Sequence, residues 1–201
     1  MKILEKITED EMISVFLLAE IHSSRFGARI RKFVKQLGVS KEVVLNPDLK
    51  DEKQNRQRKN ILEKHRYYKS RKRFFESFPA DVQWYRAEIN PREFRKLFYI
   101  NEEYWVLRSH GSRLASDGAK SVLSGEKIFS ESNRVFYDVA RSLDNKTQRP
   151  IILVAQNKTS KRVVMEGHVR MTAYSMRQKK IPKRMRVLVG FSKRMNEWDL
   201  Y

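Results

Sequence analysis

Arg162-Val163-Val164-Met165-Glu166-Gly167-His168-Val169-Arg170-Met171-Thr172-Ala173-Tyr174 runs from a buried-looking strand through one glycine into a helical pattern. A strand that breaks into a helix aims free backbone N–H groups and the positive end of the helix dipole at one spot. Glu166, His168, Arg170 and Thr172 crowd that spot, which is how a protein builds a phosphate pocket. Upstream, Pro150-Ile151-Ile152-Leu153-Val154-Ala155 reads as a buried strand and Asn157 to Lys161 as a hairpin-type turn. Downstream, the helix spans Val169 to Gln178, and Arg186-Val187-Leu188-Val189-Gly190-Phe191 closes as a final strand. Strand, turn, strand, helix, strand predicts a compact α+β unit with Gly167 at its centre.

Further out, Val82 to Ile89 is strand-like by its β-branched and aromatic content, and Asn90-Pro91 caps a short helix through Leu97. Tyr104 to Leu107 is an apolar patch running into the small polar loop Ser109-His110-Gly111-Ser112-Arg113, and an amphipathic helix spans Ser132 to Leu143. The first 80 residues read differently. Thr8-Glu9-Asp10-Glu11 has capping-box spacing before Met12, Ile13, Phe16, Leu17 and Ile21. Phe26, Ile30, Phe33, Val34 and Leu37 before Gly38 form a second helical pattern, expected to pack on the first as a hairpin. After the Asn46-Pro47-Asp48 turn, a third helix is expected from Asp51 to about Ser70. The chain thus divides into a helical region, 1–80, and an α+β domain, 81–201.

Net charge is +19, from 43 Lys and Arg against 24 Asp and Glu, and such a field attracts polyanions. Nucleic acid is the natural one, because each neutralised phosphate releases counterions. Arg56, Lys59, Arg71, Lys72 and Arg73 form the densest basic stretch, interleaved with Tyr67 and Tyr68, which can stack on bases. Phe74, Phe75 and Phe78 belong to the core instead. Lys179 and Lys180 open a second cluster beside the motif helix. Cysteine is absent, which excludes disulfides, thiolate metal sites and a thiol nucleophile. Carboxylates interrupt the first residues before any apolar run of signal length, and nothing approaches the roughly 20 apolar residues of a membrane span. A cytoplasmic protein is expected.

Pro150 to Val154, Val163 to Arg170 with its acidic-Gly-His-x-Arg string, Thr172-Ala173 and Val187 to Val189 together resemble the ParB/sulfiredoxin-like superfamily, with Val82 to Leu97 as its opening strand and helix. The resemblance implies a small mixed sheet with helices. It also implies a nucleoside di- or triphosphate (ATP, ADP or CTP) at the strand-to-helix turn, with Mg²⁺ where phosphoryl chemistry follows. Carried onto this chain, Gly167 lets the backbone approach the phosphates, His168 and Arg170 contact them, and Glu166 faces the adjacent site. His168 stands where sulfiredoxins have their cysteine, which removes sulfinic-acid reduction. No helix-turn-helix pattern follows the motif up to Tyr201, so a partitioning clamp is not expected. The Glu-Gly-His-x-Arg-x-Thr-Ala-Tyr string also resembles a bacterial and phage protein family, which adds extent without adding an activity.

Arg170 is placed to add a bidentate contact to a phosphate. Glu166 is the candidate general base or metal-binding carboxylate, and His168 the candidate proton carrier. The plainer alternatives are a Glu166–Arg170 ion pair closing the corner and His168 as a helix cap. Ser109, His110 and Arg113 offer a second anion contact through exposed N–H groups and cations, against an ordinary surface loop. Two functions therefore stay open. One is a Mg²⁺-dependent phosphotransferase or nucleotide hydrolase acting with nucleic acid. The other is a non-catalytic DNA- or RNA-binding protein in which the motif is structural or senses a nucleotide.

Overall fold

A computed structural model describes residues 1–23, 25–143 and 149–201. The chain opens with strand β1 (Lys2–Ile7), then helices α1 (Glu9–Ile21), α2 (Gly27–Gln36), α3 (Glu42–Leu45) and α4 (Glu52–Arg66). Strand β2 (Gln83–Ile89), α5 (Pro91–Phe94), β3 (Leu97–Phe98), α6 (Glu103–Arg108), α7 (Ala115–Leu123) and α8 (Arg134–Ser142) follow. The last third is β4 (Ile151–Ala155), β5 (Arg162–Glu166), α9 (His168–Met176) and β6 (Met185–Phe191). The protein is α+β: N-terminal helices beside one mixed sheet of six strands in the order β1-β2-β6-β4-β5-β3.

Local chemistry places these elements as expected in several cases. Thr8 caps α1 by accepting from the Glu11 N–H at 3.1 Å, and Asn90 with Glu93 forms a reciprocal capping box around Pro91. Strand β4 is buried along its whole length, as a strand covered on both faces must be. It pairs parallel to β6 and antiparallel to β5, with Ile152 opposite Glu166.

Two elements end earlier than the sequence expectation, and two others were not assigned from the sequence. Helix α4 ends at Arg66 rather than near Ser70, because Tyr67 turns left-handed (φ +60°) and the Glu63 carboxylate captures the Ser70 N–H and hydroxyl. The helix after Pro91 stops at Phe94, and Leu97–Phe98 instead adds a short parallel strand to β5. Tyr104 to Leu107 lies in helix α6. Residues 2–7 form an edge strand antiparallel to β2, so the chain's first residues belong to the sheet. One continuous apolar core runs from Met12 and Phe16 of α1 through Ile152 and Val154 of β4 to Trp198, whose indole N–H donates to the Phe74 carbonyl at 2.9 Å. Among the described residues no helix is long and apolar enough to cross a membrane.

Candidate functional site

Strand β5 ends at Glu166, and Gly167 adopts φ +107° to start α9. A side chain here is refused twice over. The dihedral lies where L-residues are strained, and a β-carbon would stand 3.1 Å from Ile151 and 3.2 Å from the Arg170 guanidinium. The β4–β5 register brings Arg149 and Pro150, just before β4, to the same end of the sheet as Glu166.

Glu166 and Arg170 form an ion pair across one helical turn, their side chains 15% and 14% exposed. The same guanidinium donates to the carbonyls of Arg149 and Pro150, the latter at 3.2 Å. Arg170 is thus engaged three times by its own chain. Burial pushes the Glu166 carboxyl above its ordinary value despite Arg170, and the Glu20 carboxylate adds to the rise. His168 hydrogen-bonds the Val164 backbone, and burial holds its imidazole down to about 3, so it is neutral near pH 7. Its ring stacks on Trp105 at 4.9 Å and 20°, and its Nε2 is buried with no hydrogen-bond partner among the described residues. Thr172 is fully buried. Its hydroxyl donates to the His168 carbonyl at 2.8 Å and bonds the Tyr99 hydroxyl at 2.6 Å, which locks α9 to the core.

The Ser109–Arg113 loop is a clip. Ser109 is buried with its hydroxyl donating to the Trp105 carbonyl at 2.7 Å, while the Arg113 guanidinium holds the carbonyls of Tyr99 (2.9 Å) and Leu200 (3.3 Å). His110 is exposed and lies 3.0 Å from Glu126. Among the described residues, none of the hydrogen bonds or ion pairs of these three side chains goes to Glu166, His168 or Arg170.

The basic stretch divides in the same way. Lys59 bridges α4 to α1 through Glu9 and Asp10, both at 3.1 Å, and Arg71 lies over the rings of Tyr68 and Phe78 at 4.7 and 5.6 Å. Arg56 is exposed beside Glu52, and Lys72 and Arg73 are exposed, Arg73 over the Tyr67 ring at 4.8 Å. Lys179 and Lys180 are exposed on the rim of a groove of about 580 Å³ between α7 and α9.

The sequence reading missed Glu20, Arg66 and Arg149. Glu20 is buried and accepts from His65 and, through a fork, from Arg66, whose guanidinium lies 4.1 Å from the Phe26 ring. A carboxylate inside the apolar run Phe16 to Ile21 was the available signal. Arg149 carried no signal. Comparison of the chain with family models, curated proteins and solved structures returned no match.

Proposed function

We propose that the Gly167 turn binds a phosphoryl anion, a nucleoside di- or triphosphate of the ATP, ADP or CTP kind, beside a cationic surface that holds nucleic acid. One observation supports this above the others. Arg149 is half-buried with no hydrogen-bond or carboxylate partner for its guanidinium among the described residues, and it sits beside a second cation, Arg170, at the N-terminus of α9. Burial and the Arg170 charge both press its pKa down, and Glu166 offsets them in part. An anion on the turn relieves that repulsion and meets the unpaired N–H groups of the helix start. The phosphate contact expected of Arg170 therefore passes to Arg149, with Arg170 holding the corner in shape.

The residues present do not fit a protein-built Mg²⁺ site, since Glu166 and Glu20 are each engaged by arginine and no cluster of three His, Asp or Glu converges among the described residues. Catalysis enters the proposal through Glu166 alone, a carboxyl that burial raises above its ordinary value and thereby makes a better proton acceptor. The Glu166–Arg170 pair favours a second reading, in which the turn is structural and nucleic-acid binding is the whole function.

A thermal-shift screen against ATP, ADP and CTP, with and without Mg²⁺, separates the two. A ligand bound by the native state alone raises the midpoint, and Arg149→Ala abolishes that rise. A parent protein indifferent to every nucleotide leaves the structural reading. Loss of nucleotide turnover in Glu166→Gln with binding retained assigns the reaction, and binding without turnover in the parent removes it.

A further inference from the structure

Positive charge is concentrated on one part of the chain. Residues 25–73 hold 17 basic and five acidic side chains, so about a quarter of the protein carries +12 of its +19. No carboxylate occurs between Ile21 and Lys41, and the four cations of α2, Arg29, Arg31, Lys32 and Lys35, are all exposed. Part of this charge is committed inside the chain. Arg58 is fully buried on backbone carbonyls, Lys59 bridges to α1, and Arg31 donates to the Ile21 carbonyl at 3.0 Å. Lys32, Lys35 and Lys64 are exposed with no hydrogen-bond or carboxylate partner among the described residues.

Helix α2 packs against the C-terminal end of α4, and their seam sets aromatic rings beside arginines. The rings of Phe26 and Phe33 lie 5.7 and 6.4 Å from that of His65. Over Phe26 stand the Arg66 and Arg25 guanidinium carbons, at 4.1 and 5.2 Å from the ring centre, and over Phe33 stands Arg29 at 5.5 Å. Just past α4, Arg73 covers Tyr67 at 4.8 Å. All three rings are half-buried. An arginine beside a ring offers a planar cation and a π-face together, which suits both a phosphate and a base.

Charge and rings together select the occupant. A lipid surface requires exposed apolar anchors, and among the described residues of 25–73 Leu49 is the one large apolar side chain that is exposed. A duplex presents phosphates with its base faces stacked out of reach, whereas an unpaired strand presents phosphates and base faces together. We propose that the face formed by α2, the C-terminal end of α4 and the Tyr67–Arg73 pair binds a single-stranded nucleic acid, through its phosphates and by base stacking, the parts that DNA and RNA share. The inference rests on the nucleic-acid part of the reading above and is independent of any nucleotide at the Gly167 turn.

Fluorescence anisotropy over a series of salt concentrations, with a labelled oligo-dT of about 15 nucleotides and with a duplex of the same length, tests this. The parent binds the single strand more tightly than the duplex. Lys32→Ala, Lys35→Ala and Lys64→Ala together weaken that binding and lower the salt slope by about two, at about 0.7 for each phosphate no longer neutralised, with the unfolding midpoint unchanged. Phe33→Leu keeps apolar packing, removes the π-face and lowers affinity at least about fivefold with the salt slope unchanged. A duplex bound as tightly as the single strand, or single-strand affinity that either variant keeps, overturns the inference and leaves the broader nucleic-acid reading standing. A parent that binds neither probe overturns both.

Discussion

His168 makes stability depend on pH across the range in which an unfolded imidazole titrates. Burial holds its folded pKa near 3, while an unfolded imidazole titrates near 6.5. The unfolded state therefore binds a proton that the native state refuses. The stabilisation is fully present above pH 6.5 and is lost as pH falls toward 3. Between pH 7 and pH 5 the loss is about 2 kcal/mol, a figure set almost entirely by the unfolded value and insensitive to any folded pKa below about 4. For a chain of this length that corresponds to roughly 4–8 °C in the unfolding midpoint. His65 is displaced in the same direction by its burial, with Glu20 opposing, while Glu166, raised by burial, acts in the opposite sense as pH falls. The difference between parent and His168→Phe isolates the term, because phenylalanine keeps a ring against Trp105 and cannot titrate. Urea unfolding at the two pH values should show the variant losing about 2 kcal/mol less than the parent. Equal losses would refute the placement of a neutral, buried imidazole at the start of α9.

Gly167→Ala should cost about 1–3 kcal/mol, from the φ of +107° and the close approach of Ile151 and Arg170, measured by denaturant unfolding. Arg170→Met should cost more than Glu166→Gln, about 2–4 kcal/mol against about half that, since only the arginine also holds the Arg149 and Pro150 carbonyls. A double-mutant cycle with no coupling between them contradicts the pair. Neutralising Lys72, Arg73, Lys179 and Lys180 should weaken DNA or RNA binding and lower the salt slope by about one for each phosphate that the protein no longer neutralises. Lys59→Ala, by contrast, should leave nucleic-acid affinity unchanged and cost about 0.5–1 kcal/mol of stability by removing the bridge to Glu9 and Asp10.

Much of the fold was legible because its signals are local. The cap at Thr8, the Asn90-Pro91 start and the β4, turn, β5, α9 succession each follow from residues a few positions apart. Strand β1 was not legible: Lys2, Glu5 and Lys6 belong to an edge strand with little buried surface, and only pairing with β2 defines it. The two-residue β3 likewise exists through its partner β5. In the site, residue types were readable and their commitments were not. Lys59, Arg113 and Arg170 appear in the sequence as available cations, yet each is engaged by partners brought close by the fold, across 50 residues for Lys59 and Glu9. Arg149 is the reverse case, a cation with no distinguishing context in sequence whose guanidinium, beside the turn, has no hydrogen-bond or carboxylate partner among the described residues.

Calorimetric titration of ADP and ATP into the parent protein and into Arg149→Ala bears most directly on the anion site at the Gly167 corner. The parent should bind one nucleotide per chain, and the variant should lose at least about tenfold in affinity, the equivalent of one charge-assisted hydrogen bond, with its unfolding midpoint unchanged. A parent that binds neither nucleotide, or a variant that binds as tightly as the parent, would contradict the assignment.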